Sequence, residues 1–280
     1  MGKQITVAFL GAGSMAEAMI AGIVQNGQWA PEHVIVTNHS NHEKRAALQA
    51  KYGIRAMQSG DLPFDQIDFF ILAMKPKNAD TALQSLKGSV GPHQVIVSVM
   101  AGLTTAFIEA FFPEGQQVIR AMPNTSAIAG ESTTAICAGR WVKEKNINIA
   151  TALLSSIGKV YPIEEEKMDL FTGIAGSGPA YFYFLLEQME RAGRESGMDI
   201  QMVREIGAQT LLGAAKMIMR QENTPAELRE NITSPNGTTY AGLAALESFG
   251  GGEAIYEAVK GAAKRSKEIS EQFSHTVTHL

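Results

Sequence analysis

Cysteine is nearly absent from this chain of 280 residues, which contains Cys137 alone. A single cysteine excludes a disulfide bond within the chain, and scarce cysteine is typical of reducing compartments. Cys137 lies in the apolar stretch 134–138, which predicts a buried strand and a structural thiol rather than a nucleophile. We therefore expect a cytoplasmic protein.

Long charged runs and long apolar runs are also missing. The formal net charge is −4 and no run of five basic residues occurs, so we expect no nucleic-acid partner. No apolar run approaches the roughly 20 residues that a membrane-spanning helix needs, and no signal peptide is indicated. Because the histidines lack a third ligand nearby, we expect no metal site.

The first part of the chain alternates apolar strand patterns with segments of helical spacing. Strand patterns occupy residues 5–10, 33–37, 68–73, 94–99 and 117–122. Continuous apolar strands between helices indicate a parallel sheet covered on both faces. We therefore predict an α/β fold in which residues 1–162 form a Rossmann-like, doubly wound, mainly parallel sheet that binds a dinucleotide.

Strand patterns stop near residue 162, and the remaining segments have helical spacing. Helices are predicted at residues 168–175, from Pro179 onward, and at 199–220, 238–249 and 253–270. Apolar and small residues cover more than one face of the segment 206–219, and a helix that is apolar nearly all round is buried. We predict that residues 163–280 form an all-helical dimerisation and substrate domain, covered by a second copy of the chain.

The first strand runs directly into a glycine-rich turn and then into a helix. The turn is Gly11-Ala12-Gly13-Ser14-Met15-Ala16, which matches the pattern G-x-G-x-x-A. The first glycine of this pattern permits the tight turn, the second lets the backbone approach a pyrophosphate, and the last small residue lets the helix lie close to the strand. The turn therefore predicts a dinucleotide site rather than a purely structural loop.

Further cofactor-binding residues are expected just after the other strands, because ligands bind beyond the carboxyl ends of the strands in such sheets. The candidates are Ala73, Met74, Lys75 and Pro76, then Met100, Ala101 and Gly102, and finally Asn124. For Lys75 the alternative is a solvated lysine at a strand end, although the following proline fixes its backbone.

The end of the second strand bears on the choice of cofactor. NAD-dependent enzymes usually carry an acidic residue there for the ribose hydroxyls, whereas this chain has Asn38, His39 and Ser40, followed by Lys44 and Arg45. These side chains favour the 2′-phosphate of NADP, with NAD also compatible. The alternative is that the two basic residues only coat a surface helix.

A second candidate site lies near the end of the chain, where a Pro-Asn-Gly turn leads into a helix. The segment runs Thr233-Ser234-Pro235-Asn236-Gly237-Thr238-Thr239. Small polar groups and backbone N–H donors gathered at a helix N-terminus favour an anion, so the segment predicts a carboxylate pocket. An ordinary capped loop is the alternative.

Several motifs, in order along nearly the whole chain, resemble those of the pyrroline-5-carboxylate reductases. Besides the two segments just described, they are Ala73-Met74-Lys75-Pro76, Ser98-Val99-Met100-Ala101-Gly102, Arg120-Ala121-Met122-Pro123-Asn124-Thr125 and Gly176-Ser177-Gly178-Pro179-Ala180-Tyr181. The chain departs from the family at Asn236, where glycine is usual, at Met74, where valine or leucine is common, and at His39, where arginine is common.

The resemblance implies reduction of 1-pyrroline-5-carboxylate to L-proline by hydride transfer from NAD(P)H. It also implies a homo-oligomer, either a dimer or a ring of dimers. It assigns the substrate carboxylate to Ser234 and the turn Asn236, Gly237, Thr238 and Thr239. It further gives Thr239 the catalytic hydrogen bond to the ring nitrogen and places Glu222 near the amine, although a solvated carboxylate is an equal alternative for Glu222.

Two other functions remain open from sequence alone. One is a 3-hydroxyacid dehydrogenase of the 6-phosphogluconate type, which needs a catalytic lysine on the helix after its glycine segment; here Pro179 to Phe184 follow without a lysine. The other is a non-catalytic or differently specific paralogue that binds NADP. An assay of NADPH consumption with pyrroline-5-carboxylate separates both from the reductase.

Overall fold

A computed structural model describes residues 4–27, 29–38, 41–220 and 222–277, with residues 274–277 described by backbone alone. Eight strands are present in this part of the chain: β1 (Val7–Leu10), β2 (Val34–Thr37), β3 (Arg55–Met57), β4 (Phe69–Leu72), β5 (Val95–Ser98), β6 (Gln117–Met122), β7 (Ser132–Ala138) and β8 (Gly158–Pro162).

The α-helices alternate with the strands at first and then follow one another. They are α1 (Ser14–Gln25), α2 (His42–Tyr52), α3 (Ala79–Leu86), α4 (Thr105–Glu109), α5 (Glu144–Ser155), α6 (Met168–Phe171), α7 (Gly178–Glu195), α8 (Ile200–Met219), α9 (Pro225–Asn231), α10 (Thr238–Ser248) and α11 (Gly251–Val277). A π-helical turn, Thr172–Gly176, follows α6.

The chain divides into two compact units. The first consists of Met1–Gly176 together with Gly261–Leu280, and the second of Ser177–Lys260. The functional boundary expected between residues 162 and 163 stays a prediction.

The first unit is built on one eight-stranded sheet in the order β3-β2-β1-β4-β5-β6-β7-β8. The neighbours from β3 to β6 are parallel. Apolar side chains from α1, α2 and α5 pack on one face of the sheet, and those from α3 and α4 on the other. The predicted Rossmann-like, mainly parallel α/β fold followed by helices is confirmed.

The sheet also differs from a uniformly parallel one. β7 runs antiparallel to β6, because the chain between them is a short 3₁₀ segment, Thr125–Ala129, and too short for a parallel crossover. The edge strands β3 and β8 have no continuous apolar run in the sequence. All of their residues are half-buried or exposed, so apolar side chains are not required there. The strand patterns of the sequence therefore did not reveal them.

In the second unit α7 and α8 pack closely at two glycines. A Cβ atom on Gly193 would lie 2.5 Å from Val203 Cγ2, and one on Gly207 would collide with Leu186. Gly207 thus allows close packing within this unit. Gly213, by contrast, faces open space, since a Cβ there would meet no atom within 4 Å.

Within the described residues, no helix combines the length and apolar character required to cross a membrane. The same part of the chain contains no group of three or more His, Cys, Asp or Glu side chains that could hold a metal ion.

Candidate active site

The glycine turn lies where the order of the sheet reverses. From β1 the chain continues outward to β2 and β3, and then returns to place β4 on the other side of β1. Backbone hydrogen bonds join the loops at this edge: Gly11 N donates to Thr37 O at 2.8 Å, and Ala73 N donates to Leu10 O at 2.9 Å. The carboxyl ends of β2, β1 and β4 therefore form one contiguous edge, which is the usual ligand position in this architecture.

Local geometry accounts for the small residues of the turn. Gly11 has φ +120°, and a Cβ atom there would lie 2.5 Å from the carbonyl oxygen of Ala73. Gly13 is the N-cap of α1 and makes no side-chain capping bond, and a Cβ atom there would meet nothing within 4 Å. Ala16 is fully buried against the sheet. An uncapped helix start facing open space fits the pyrophosphate of a dinucleotide.

At the end of β2, Arg45 and Lys44 are engaged within the protein. Arg45 is buried and donates from its guanidinium to the Asn38 carbonyl oxygen at 2.8 Å, while Lys44 pairs with Glu17 of α1. The alternative interpretation, in which both residues only coat a surface helix, therefore does not hold for Arg45. The predicted contacts of His39 and Ser40 lie outside the described residues.

The next two loops carry the other predicted cofactor residues. Lys75 is exposed in an extended backbone conformation before Pro76. Met100 is buried, and Gly102 has φ +79° with its Cα packed so closely on Ile269 of α11 that a Cβ atom would collide with it. These loops follow β4, which pairs with β1, and β5, the next strand beyond β4.

Asn124, the last predicted cofactor residue, makes hydrogen bonds within the first unit. Its side-chain Nδ2 donates to the Ala175 carbonyl at 2.9 Å, and its Oδ1 accepts from Ser126 N at 3.2 Å. Asn124 thereby joins the end of β6 to the π-helical turn that follows α6. Any contact with a cofactor stays a prediction.

Sequence reasoning did not identify a partly buried ion pair beside this segment. Arg120 of β6 lies 3.1 Å from Glu165, with side chains 4% and 24% exposed. Glu165 also accepts hydrogen bonds from the backbone N and the hydroxyl of Thr105. The available signal was a charged residue within a buried strand, because buried charges are almost always paired.

Burial raises the pKa of two ionisable groups near this pair. Burial raises the pKa of the Cys137 thiol to about 12, which agrees with its prediction as a structural thiol. Burial likewise raises the pKa of the Glu109 carboxyl, against the opposing hydrogen bond that it accepts from the backbone N–H of Arg140. Both residues are structural by position, since Cys137 lies within β7 and Glu109 ends α4.

The second unit contains the predicted carboxylate turn, between α9 and α10. Gly237 N donates to Ser234 O at 3.0 Å, which closes the turn. Asn236 has φ +59° and is the one residue other than glycine with positive φ within the described ranges. Asparagine tolerates this left-handed conformation better than most residues, so its presence where the family usually has glycine preserves the turn.

The first turns of α9 and α10 differ in how their N–H groups are satisfied. α9 has a complete capping box, in which Thr224 accepts from Glu227 N and Glu227 accepts from Thr224 N. α10 begins at Thr238 with Gly237 as N-cap and without a side-chain capping bond. An uncapped start with Thr238 and Thr239 in its first turn can receive an anion. Glu222 lies exposed before α9.

Comparisons with known proteins identify the family. A family model described as pyrroline-5-carboxylate reductase dimerisation matches residues 165–269. Another, described as NADP oxidoreductase, coenzyme F420-dependent, matches residues 6–102. Pyrroline-5-carboxylate reductase 1 of Bacillus subtilis (strain 168) is 55% identical over 277 residues, which cover 99% of this chain and 93% of that protein.

Solved structures give the same answer. A pyrroline-5-carboxylate reductase from Coxiella burnetii has a TM-score of 0.88 at 30% identity, covering 96% of this chain and 99% of its own. The Plasmodium falciparum pyrroline carboxylate reductase with NADP bound has a TM-score of 0.86 at 26% identity, covering 95% and 98%. Full-length identity of 55% with a named reductase is ample to assign the family. The chain belongs to the pyrroline-5-carboxylate reductase family.

Proposed function

We propose that this chain reduces 1-pyrroline-5-carboxylate to L-proline, the last step of proline biosynthesis, with NADPH as the hydride donor. The observation that carries the proposal is the 55% identity with a pyrroline-5-carboxylate reductase over 99% of the chain. The local geometry is consistent with it, because α1 and α10 both begin at an uncapped glycine. One start suits a pyrophosphate and the other a carboxylate.

The residues of the α9–α10 turn would hold the substrate. The N–H groups of residues 236–239, with the Ser234 hydroxyl, would bind the carboxylate of the cyclic imine, and the Thr239 hydroxyl would hydrogen-bond the ring nitrogen. A protonated imine is already electrophilic, so the residues need mainly to fix its position and orientation. Glu222, exposed before α9, is proposed near the amine on family resemblance.

The first unit would hold the cofactor. Gly11 to Ala16 would contact the pyrophosphate at the start of α1, and Asn38, His39 and Ser40 would lie near the adenine ribose. Residues 73–76 and 100–102, with Asn124, would line the rest of the groove. NADPH supplies a hydride to C5 of the imine when bound, and the ring nitrogen ends as the amine of proline. NADPH is proposed as the better donor and NADH as usable.

Self-association is part of the proposal. The family model that matches residues 165–269 describes dimerisation, and the helices of this region leave large apolar side chains exposed. We propose a homodimer formed through residues 163–280, and a ring of dimers as the larger assembly. A cytoplasmic location stays a prediction.

The other two functions lack a supporting observation. No lysine occurs on α7, where the 3-hydroxyacid dehydrogenases of the 6-phosphogluconate type need one. A non-catalytic paralogue would not require the open start of α10 with its paired threonines, although only an assay separates it.

The direct test follows the absorbance of NADPH in the presence of purified protein and 1-pyrroline-5-carboxylate, with proline identified by chromatography. We expect stoichiometric formation of L-proline and a higher kcat/KM with NADPH than with NADH. Absence of turnover with either cofactor would remove the enzymatic proposal. A clear preference for NADH would remove only the assignment of NADPH.

A further inference from the structure

Glu17 in the first turn of α1 makes ion pairs and a hydrogen bond with residues of α2. Its carboxylate lies 2.5 Å from the Lys44 ammonium of α2 and 3.1 Å from that of Lys51. Tyr52 donates a weaker hydrogen bond from its hydroxyl at 3.4 Å. The Lys44 hydrogen bond, and then that of Lys51, hold the pKa of the Glu17 carboxyl below its usual value. Glu17 is therefore an ionised carboxylate that forms ion pairs with two lysines of α2.

The Glu17–Lys44 pair joins the two helices that flank the expected position of the adenine ribose. Glu17 directly follows the glycine turn, and Lys44 lies in the first turn of α2, next to Arg45, which donates to the carbonyl oxygen of Asn38 just after β2. The adenine ribose of a dinucleotide is expected at the end of that strand. The helical turn that carries Lys44 therefore adjoins the strand end where a 2′-phosphate would distinguish NADP from NAD, and the ammonium of Lys44 is paired with Glu17.

The guanidinium of Arg45 already makes other hydrogen bonds at this edge. It is buried, donates to the Asn38 carbonyl and thereby fixes the loop after β2. Lys44 is different because its side chain is 39% exposed while its partner Glu17 is 24% exposed. An ammonium has three donors and can contact a phosphate as well as a carboxylate, but the two anions compete for it and repel each other.

We infer that Glu17 is a specificity-determining residue that limits the preference of this chain for NADP(H) over NAD(H). It does so by holding the Lys44 ammonium and by setting a negative charge beside the expected ribose. The inference rests on the proposed nicotinamide-dependent function. A purely structural role, in which the pair only joins α1 to α2, would alter stability and leave the ratio of the two cofactor affinities unchanged.

The test measures binding of NADP⁺ and NAD⁺ to the whole protein by calorimetry, with adenosine 2′,5′-bisphosphate and AMP as smaller probes. Glu17→Gln removes the charge and keeps the shape. We expect the Kd of NADP⁺ to fall by about two- to fivefold, the range expected for one half-exposed ion pair, and the Kd of NAD⁺ to change much less. Glu32→Gln, a charge-matched exposed change before β2, should alter neither.

Lys44→Gln provides an independent test with the opposite sign. It leaves Glu17 without its nearer cation, so the Kd of NADP⁺ should rise while that of NAD⁺ stays nearly constant. In the double variant the gain from Glu17→Gln should be smaller than in the wild-type background, because only the part that comes from releasing Lys44 is lost and a coupled pair is not additive.

An unchanged or lowered NADP⁺/NAD⁺ discrimination in folded Glu17→Gln would overturn the inference, and so would an unchanged ratio in Lys44→Gln. Thermal melts establish that each variant is folded. Since binding is measured without substrate, a failed reductase assay would count against the proposed function and would leave this result standing.

Discussion

The two units of the chain bury their apolar residues to very different extents. In the first unit, every residue of β1, β2, β4 and β5 is buried. In the second, the twenty-residue helix α8 buries only Val203 and Gly207, and α10 buries no residue. The sheet unit therefore contains its own core, whereas the helical unit leaves large apolar side chains exposed in the single chain, as expected if the proposed second copy covers them.

The exposed residues of the helical unit are large as well as numerous. They include Phe182, Tyr183 and Phe184 on α7, Ile206, Leu212, Met217, Ile218 and Met219 on α8, and Phe249 after α10. In native soluble proteins, large exposed apolar patches usually mark surfaces that bind another molecule. Four predictions test this difference between the units, beginning with the largest expected effect.

A charge on the exposed face of α8 should separate the subunits. Leu212 is 47% exposed, and Leu212→Glu would bury an unpaired carboxylate in the proposed interface. Such burial costs several kcal/mol, so association should weaken by at least about a hundredfold. Leu212→Met retains an apolar side chain and is the matched control. If Leu212→Glu still sediments as the wild type does, this face of α8 is not the interface.

The next effect concerns the turn in the helical unit. Thr239→Ala should lower kcat/KM by about ten- to a hundredfold, because a hydrogen bond to a charged or polarised group is worth roughly 1.5–3 kcal/mol. The Kd of NADP⁺ should stay nearly constant, and Thr239→Ser should recover much of the activity. Equal rates for the alanine variant and the wild type would remove Thr239 from the site.

A smaller effect is expected within the self-contained sheet unit. Glu165→Gln would leave the buried Arg120 guanidinium with a neutral partner, and should lower the free energy of unfolding by about 1–3 kcal/mol. Glu166→Gln, at the exposed neighbouring position, is the control and should change it little. Denaturant titration checks both, and equal stability of the two variants would show that the ion pair contributes nothing.

The smallest effect is expected at Cys137. Since burial raises the pKa of its thiol to about 12, the reactive thiolate is scarce at pH 8. The native protein should react with a thiol reagent very slowly, and the protein in denaturant should react at once. Rapid labelling of the native protein would show that β7 opens readily.

Turns and helix starts could be predicted from the sequence, because residues close together in the chain determine them. The turn from Gly11 to Ala16, with its flanking apolar patterns, predicted β1 and α1, and the Pro-Asn-Gly turn predicted the start of α10. Asn41 and Thr224 cap helices α2 and α9 with their own side chains. Each of these features depends on contacts within a few residues.

The features that the sequence did not reveal depend on distant partners. Glu17 meets Lys44 only after α2 has packed beside α1, and Arg120 meets Glu165 only after the chain has returned to the sheet. α11 was expected to end at Ser270, yet it continues to Val277, with Phe273 packed against Phe107 at 6.0 Å between ring centroids. The region 168–175, expected as one helix, becomes α6 and a π-helical turn whose Ala175 carbonyl accepts from Asn124.

The most direct test of the contrast between the units is the mass of the active protein. Light scattering on the eluted wild type, with reductase activity measured in the same fractions, gives both quantities together. Because the helical unit leaves its apolar surface uncovered in one chain, we predict a mass of at least twice the 30.1 kDa of the chain, with activity confined to that species. A stable and fully active monomer near 30.1 kDa would contradict the account.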